Sequence, residues 1–216
     1  MLSLPSVAIG ASIAMTPATR VRFARRLPMP ALACVVLLSL LGCAAIGVPA
    51  TSDPDRKLAQ AYQLMAIERF VPAERLIQEA LDIYTKQGNE IGMAEAYHTF
   101  GNFYKNEIYH TKFARFYKSL GTYDGTYMRS IDNFSTARAL FEKNENYAGV
   151  TKCLIGLGNA YSLRAEKDKA CVSYDDALGF YNKAKQKDPS VRLPILTKYR
   201  DAEELINAFK QSEGCK

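Results

Sequence analysis

From residue 56 onward, apolar side chains recur at steps of three and four, the spacing of one helix face. The pattern predicts helices over 56–69, 72–86, 91–105, 126–143, 147–163, 167–185 and 194–211. Pro72 and Pro194 suit first-turn positions, where a missing N–H costs nothing. Gly88 stands where a helix should stop. The last pattern places Ile195, Tyr199, Ala202, Ile206 and Phe209 on one side and charges on the other, as in a helix that covers an apolar end.

The segment 154–181 holds two such patterns joined by a polar turn. Leu154, Leu157 and Tyr161 share one face, and Ala170, Tyr174 and Ala177 another. Gly158 and Ala170 are small, so two backbones can approach closely. A copy lies 57 residues upstream: Tyr97, Phe100, Gly101 and Tyr104 match Leu154, Leu157, Gly158 and Tyr161. The flanks keep this offset, with Ala80, Tyr84, Asn89 and Gly92 over Ala137, Phe141, Asn146 and Gly149. The second helix of the middle unit carries Ser130, Phe134 and Ala137. A first unit reads Ala61-x-x-Leu64, then Ala73, Ile77 and Ala80. Ala61 to Gly101 spans 40 residues, so the basic period is about 40 and the middle unit holds an insertion of about 17.

This pattern resembles the tetratricopeptide repeat, W-x₂-L-G-x₂-Y followed by A-x₃-F. The chain has no Trp; Tyr97 and Leu154 stand in its place, and the first unit lacks the Leu-Gly pair. The resemblance implies an all-α solenoid of about three helical hairpins over 56–185, with an insertion at 105–127. Residues 186–216 would supply a capping helix and tail. It further implies a protein or peptide partner held in a concave groove lined by the inner helices. The matching positions name Asn102, Lys105, Asn159, Ser162 and Arg164 as candidate contacts.

The N-terminus reads differently. Arg20, Arg22, Arg25 and Arg26 precede an apolar run of 11 residues, too short for a mature membrane span. Such a leader is expected to be a secretory signal. Leu40-Leu41-Gly42-Cys43 resembles the bacterial lipobox. That resemblance implies cleavage before Cys43, a signal peptide over 1–42, acylation of Cys43 and a lipidated tether over 43–55. Ala44 after the cysteine implies the outer membrane, with the folded part in the periplasm. The stretch before Met15 is surplus to such a signal, which leaves Met1, Met15 and Met29 open as starts.

The leader changes the charge reading. The whole chain carries +6, with 28 basic and 22 acidic residues. Four of the basic residues precede Cys43, so the remainder holds 24 bases against 22 acids, a net +2. No electrostatic case for nucleic acid follows. The two histidines, His98 and His110, have no second ligand at metal spacing, and no nucleophile, phosphate-cradling or zinc motif occurs. Neither an enzyme nor a cofactor is expected. In an exported chain Cys153, Cys171 and Cys215 would meet an oxidising compartment. Cys153 and Cys171 begin antiparallel helices and should lie at opposite ends. Cys171 with Cys215 is therefore the favoured pair, against the alternative that all three stay unpaired.

The insertion concentrates aromatic and basic residues. A single helix over it would carry Ile108, Lys112, Arg115 and Ser119 on one stripe. Tyr109, Phe113, Phe116, Tyr117 and Leu120 would form another, with Gly121 as the stop. Three readings stay open: packing on the solenoid, a partner-binding surface through Tyr109, Phe113, Arg115, Phe116 and Tyr117, or contact with an anionic membrane. The expected function is a lipid-anchored adaptor or assembly factor of the cell envelope. The alternative is a structural lipoprotein or a helical module for a small ligand or glycan.

Overall fold

Nine helices occupy the residues described by the computed structural model, which are 49–193 and 198–216. The expectations for the signal peptide, Cys43, most of the tether, Pro194 and Ile195 lie outside them. The first hairpin is α1 (Pro54–Ala66) and α2 (Phe70–Gln87). The second is α3 (Glu90–Lys105) and α6 (Met128–Lys143), with the short α4 (Glu107–Thr111) and α5 (Ala114–Ser119) looped out between them. The third is α7 (Tyr147–Leu163) and α8 (Lys167–Lys187). Last comes α9 (Ala202–Glu213). Each of the long helices packs on its neighbour in order, α3 passing directly to α6, and α1, α3 and α7 touch one another in turn. The fold is an all-α helical-hairpin solenoid.

The 57-residue offset reappears atom by atom. Asn89 caps α3 by accepting the Gly92 amide at 2.9 Å, and Asn146 caps α7 through Gly149 at 2.9 Å. The rings of Tyr84 and Phe141 lie over these glycines, so close that a Cβ would stand 2.1 Å and 2.5 Å away. About two and a half turns further on, Phe134 covers Gly101 and Tyr174 covers Gly158 in the same fashion. A glycine therefore sits under an aromatic ring at each of these four crossings. The cores formed are Phe70, Phe103 and Tyr104 in the first half, and Phe134, Phe141, Leu154 and Tyr174 in the second. Gly88 turns the chain between α2 and α3 with φ +63°. Its counterpart Glu145 adopts φ +51° without being glycine, a conformation that L side chains resist.

Two expected elements differ. The final helix begins at Ala202, not at 194. Asp201 caps it by accepting the Glu204 amide at 2.9 Å, while Glu204 accepts the Arg200 amide at 2.8 Å. This reciprocal cap, of the capping-box kind, fixes the start inside the apolar pattern. Ala202 and Ile206 are buried against the third hairpin as expected, and Leu205 joins them. The insertion is not one helix. A continuous helix would separate Tyr109 and Tyr117 by about 12 Å along its axis. Instead the chain breaks at Lys112 and Phe113, and the two rings meet with centroids 4.8 Å apart.

Cys171 and Cys215 are joined in a disulfide, Cα atoms 5.5 Å apart, which fastens the end of α9 to the start of α8. Cys153 is a free, fully buried thiol whose ionisation burial pushes up. Among the described residues, no helix is long and apolar enough to cross a membrane.

Candidate functional site

The repeat register lines up side chains across the inner helices. Steps of 40 and 57 residues place Tyr62, Asn102 and Asn159 at one level of α1, α3 and α7, and Met65, Lys105 and Ser162 at the next. All six line one open groove of about 1220 Å³. Its remaining wall includes His98 and Glu95 from α3, Lys152, Ile155 and Gly156 from α7, and Leu205, Phe209 and Glu213 from α9. Four of the five groove residues expected from the sequence are thus brought together.

The fifth is not. Arg164 lies in the turn after α7, where it pairs with Glu166 and donates to the Thr126 carbonyl. It braces the exit of the insertion against the third hairpin. Ser162 lines the groove, but its hydroxyl is engaged with the Glu213 carboxylate. Asn102 donates to the Tyr62 hydroxyl at 3.2 Å, and Asn159 accepts the Tyr174 hydroxyl at 2.8 Å. The Asn102 nitrogen also donates to the His98 carbonyl at 3.2 Å, so Asn102 keeps only its amide oxygen for a further partner, whereas Asn159 keeps its amide N–H groups.

The electrostatics of the groove are uneven. Glu95 and Lys152 occupy the same repeat position, 57 residues apart, and pair across α3 and α7 at 2.6 Å. His98 is held neutral far below the usual imidazole range, at about 3, first by burial and then by the charges of Lys152 and Lys105. Burial alone pushes the Lys105 ammonium down to about 8. It lies over the Phe134 ring, 5.9 Å from the centroid.

The insertion turns inward. Tyr109 and Tyr117 are 0% and 1% exposed, and Phe113 packs on Phe70 at 5.3 Å. These three residues stand in the core of the first half rather than on a docking face. Glu74 of α2 anchors one of them, its carboxylate accepting Tyr117 at 2.9 Å beside Tyr104 at 2.8 Å. Arg129 lies over the Tyr104 ring, 3.9 Å from its centroid, and closes this network. Lys112 also pairs with Glu68 in the first hairpin's turn. Only Arg115 and Phe116 of the five candidates face solvent.

Several groove residues escaped the sequence reading. Tyr62 and the Glu95–Lys152 pair were visible in principle through the register itself, which places them level with Asn102 or with each other. Glu213 and Phe209 were not, since α9 has no repeat counterpart. Among the described residues, no group of three or more His, Cys, Asp or Glu side chains is gathered as a metal site would need. No protein-family model matches the chain, and no curated protein is similar to it.

Proposed function

We propose that the chain is a lipid-anchored adaptor of the bacterial cell envelope, of tetratricopeptide-repeat type, whose groove holds a peptide segment of a partner protein. The observation that carries this reading is the groove. It is large, open and mainly lined by inner helices, and its two amides at the Tyr62 level are only partly used. A core needs no such arrangement, because buried polar groups are normally fully paired. The expected anchor at Cys43 would hold the groove near a membrane, the outer membrane by the resemblance at Ala44, on its periplasmic side. Arg115 and Phe116 are available to extend the contact beyond the groove.

The test is photo-crosslinking from within cells that make the full chain. A crosslinking residue at Asn102 or Asn159 is expected to trap a defined peptide, mapped by mass spectrometry. The same residue at exposed Arg75, on the outer helix α2, is expected to trap little. Equal capture from both faces refutes the groove. Cys43→Ser is expected to release the chain from the membrane fraction, and unchanged retention refutes the anchor.

A further inference from the structure

Two charges on the groove wall stand outside the ion pairs formed among the described residues, although the Lys167 ammonium lies beside Gly214, the residue after Glu213. Lys105 closes α3 at one end. Glu213 closes α9 at the other, touched by the Ser162 hydroxyl. The nearby ion pairs, Lys152 with Glu95 and Lys210 with Asp175, leave both out. Glu107 lines the Lys105 end, but it is exposed in the first turn of α4 and gives the ammonium no electrostatic support. A half-buried ion without a partner is costly to the folded protein unless something else supplies the opposite charge. Here the two charges have opposite signs and share a groove whose lining also includes the apolar Ile155 and Phe209.

We propose that the groove selects a peptide segment of mixed charge, with a carboxylate on Lys105, a cationic side chain on Glu213 and apolar residues between them. The inference rests on the groove being a peptide site and adds the chemistry of its occupant. The separation follows from helix stacking. Lys105 belongs to α3, while Glu213 reaches α7 from α9, so one to two helix spacings of about 8–10 Å lie between them. An extended peptide rises about 3.3 Å per residue, so the two charges should stand roughly three to six residues apart. Direction is also fixed, since the positive and negative ends of the groove are not interchangeable. A ligand carrying only acids would leave Glu213 unpaired and face repulsion there.

The probe is an array of synthetic octapeptides with blocked termini and a common apolar centre. They carry one acidic and one basic residue at every spacing and in both orders, with neutral, all-acidic and all-basic controls. The full-length chain in mild detergent micelles is the binder. Capture is expected to favour mixed charge at three to six residues and one order over the other. Lys105→Met and Glu213→Gln should each weaken the best peptide about tenfold or more, and should weaken the neutral controls much less. Lys105→Glu combined with Glu213→Lys should reverse the preferred order. Melting curves identify any variant that fails to fold. For the wild-type chain itself, raised salt should weaken the mixed-charge peptides selectively. Capture indifferent to charge or order overturns the proposal and leaves the groove reading standing. Selection of all-acidic peptides, with inorganic phosphate competing equally, also overturns it. Retention of no peptide at all removes the groove reading too.

Discussion

Replacing Gly158 by alanine adds one carbon at the tightest crossing of the third hairpin. Its Cβ would stand 2.3 Å from Cε1 of Tyr174, inside any tolerable contact. Tyr174 has little room to yield. It is 1% exposed, its hydroxyl is tied to Asn159, and its ring stacks on Phe209 with centroids 5.6 Å apart. Overpacking of this kind costs about 1–3 kcal/mol, and the upper end applies where the neighbour is held on every side. Alanine recovers about 1 kcal/mol of helix propensity. The net loss is about 2 kcal/mol, or roughly 4–8 °C in Tm for a domain of this size. Gly179 of α8 supplies the control, because its Cβ meets nothing within 4 Å. There the same substitution should raise Tm by roughly 1–4 °C. The assay is thermal melting of the full chain followed by helical circular dichroism. If Gly158→Ala melts at or above the wild type, the close crossing is not what limits this position.

Reducing the Cys171–Cys215 bond, or Cys215→Ser, should lower Tm by on the order of 10 °C, since the bridged residues are 44 apart and such a loop contributes about 4 kcal/mol. A melt indifferent to reductant would refute that contribution. Burial raises the hydroxyls of Tyr84, Tyr104, Tyr117 and Tyr174 well above their usual range. The folded chain then keeps protons that the unfolded chain releases above about pH 10, so stability should hold below that pH and fall above it. His98 works in the opposite direction: its stabilising effect is complete above about pH 6.5 and is lost as pH falls toward 3. Melting across pH should show both flanks, and His98→Leu should flatten the acid one. Glu145→Gly relieves the left-handed backbone and should add about 1 kcal/mol, read as a higher denaturant midpoint.

The repeating part of the fold was legible because the same physical problem is solved twice, 57 residues apart. A glycine under a ring at Gly92 and Gly149, and an asparagine cap at Asn89 and Asn146, are visible as identities before any coordinates exist. The groove amides Asn102 and Asn159 were legible for the same reason. The insertion was legible only in part: packing on the solenoid was one of its open readings, and Tyr109, Phe113 and Tyr117 do pack there, but its aromatic spacing fits a single helix, and no local pattern connects Tyr117 to Glu74 on another hairpin. The helix start expected at 194 differs because apolar periodicity runs upstream of Asp201, and only the caps that Asp201 and Glu204 provide, on the Glu204 and Arg200 amides, say where the helix begins. Arg164 shared the register of the groove but sits one residue past the helix end, so the turn carries it away.

The inward-turned insertion bears on how the array comes apart. In a stack of hairpins, each unit is held only by its neighbours, and a terminal unit with a weak signature would ordinarily fray first. Here the second hairpin sends a clasp back over the first. Lys112 reaches Glu68, Phe113 meets Phe70 and Tyr117 meets Glu74, joining residues more than forty positions apart. Those bonds strengthen the coupling between units rather than the intrinsic stability of either. The N-terminal hairpin thereby inherits the cooperativity of the middle one, and the two should open as a single foldon instead of unravelling from the end.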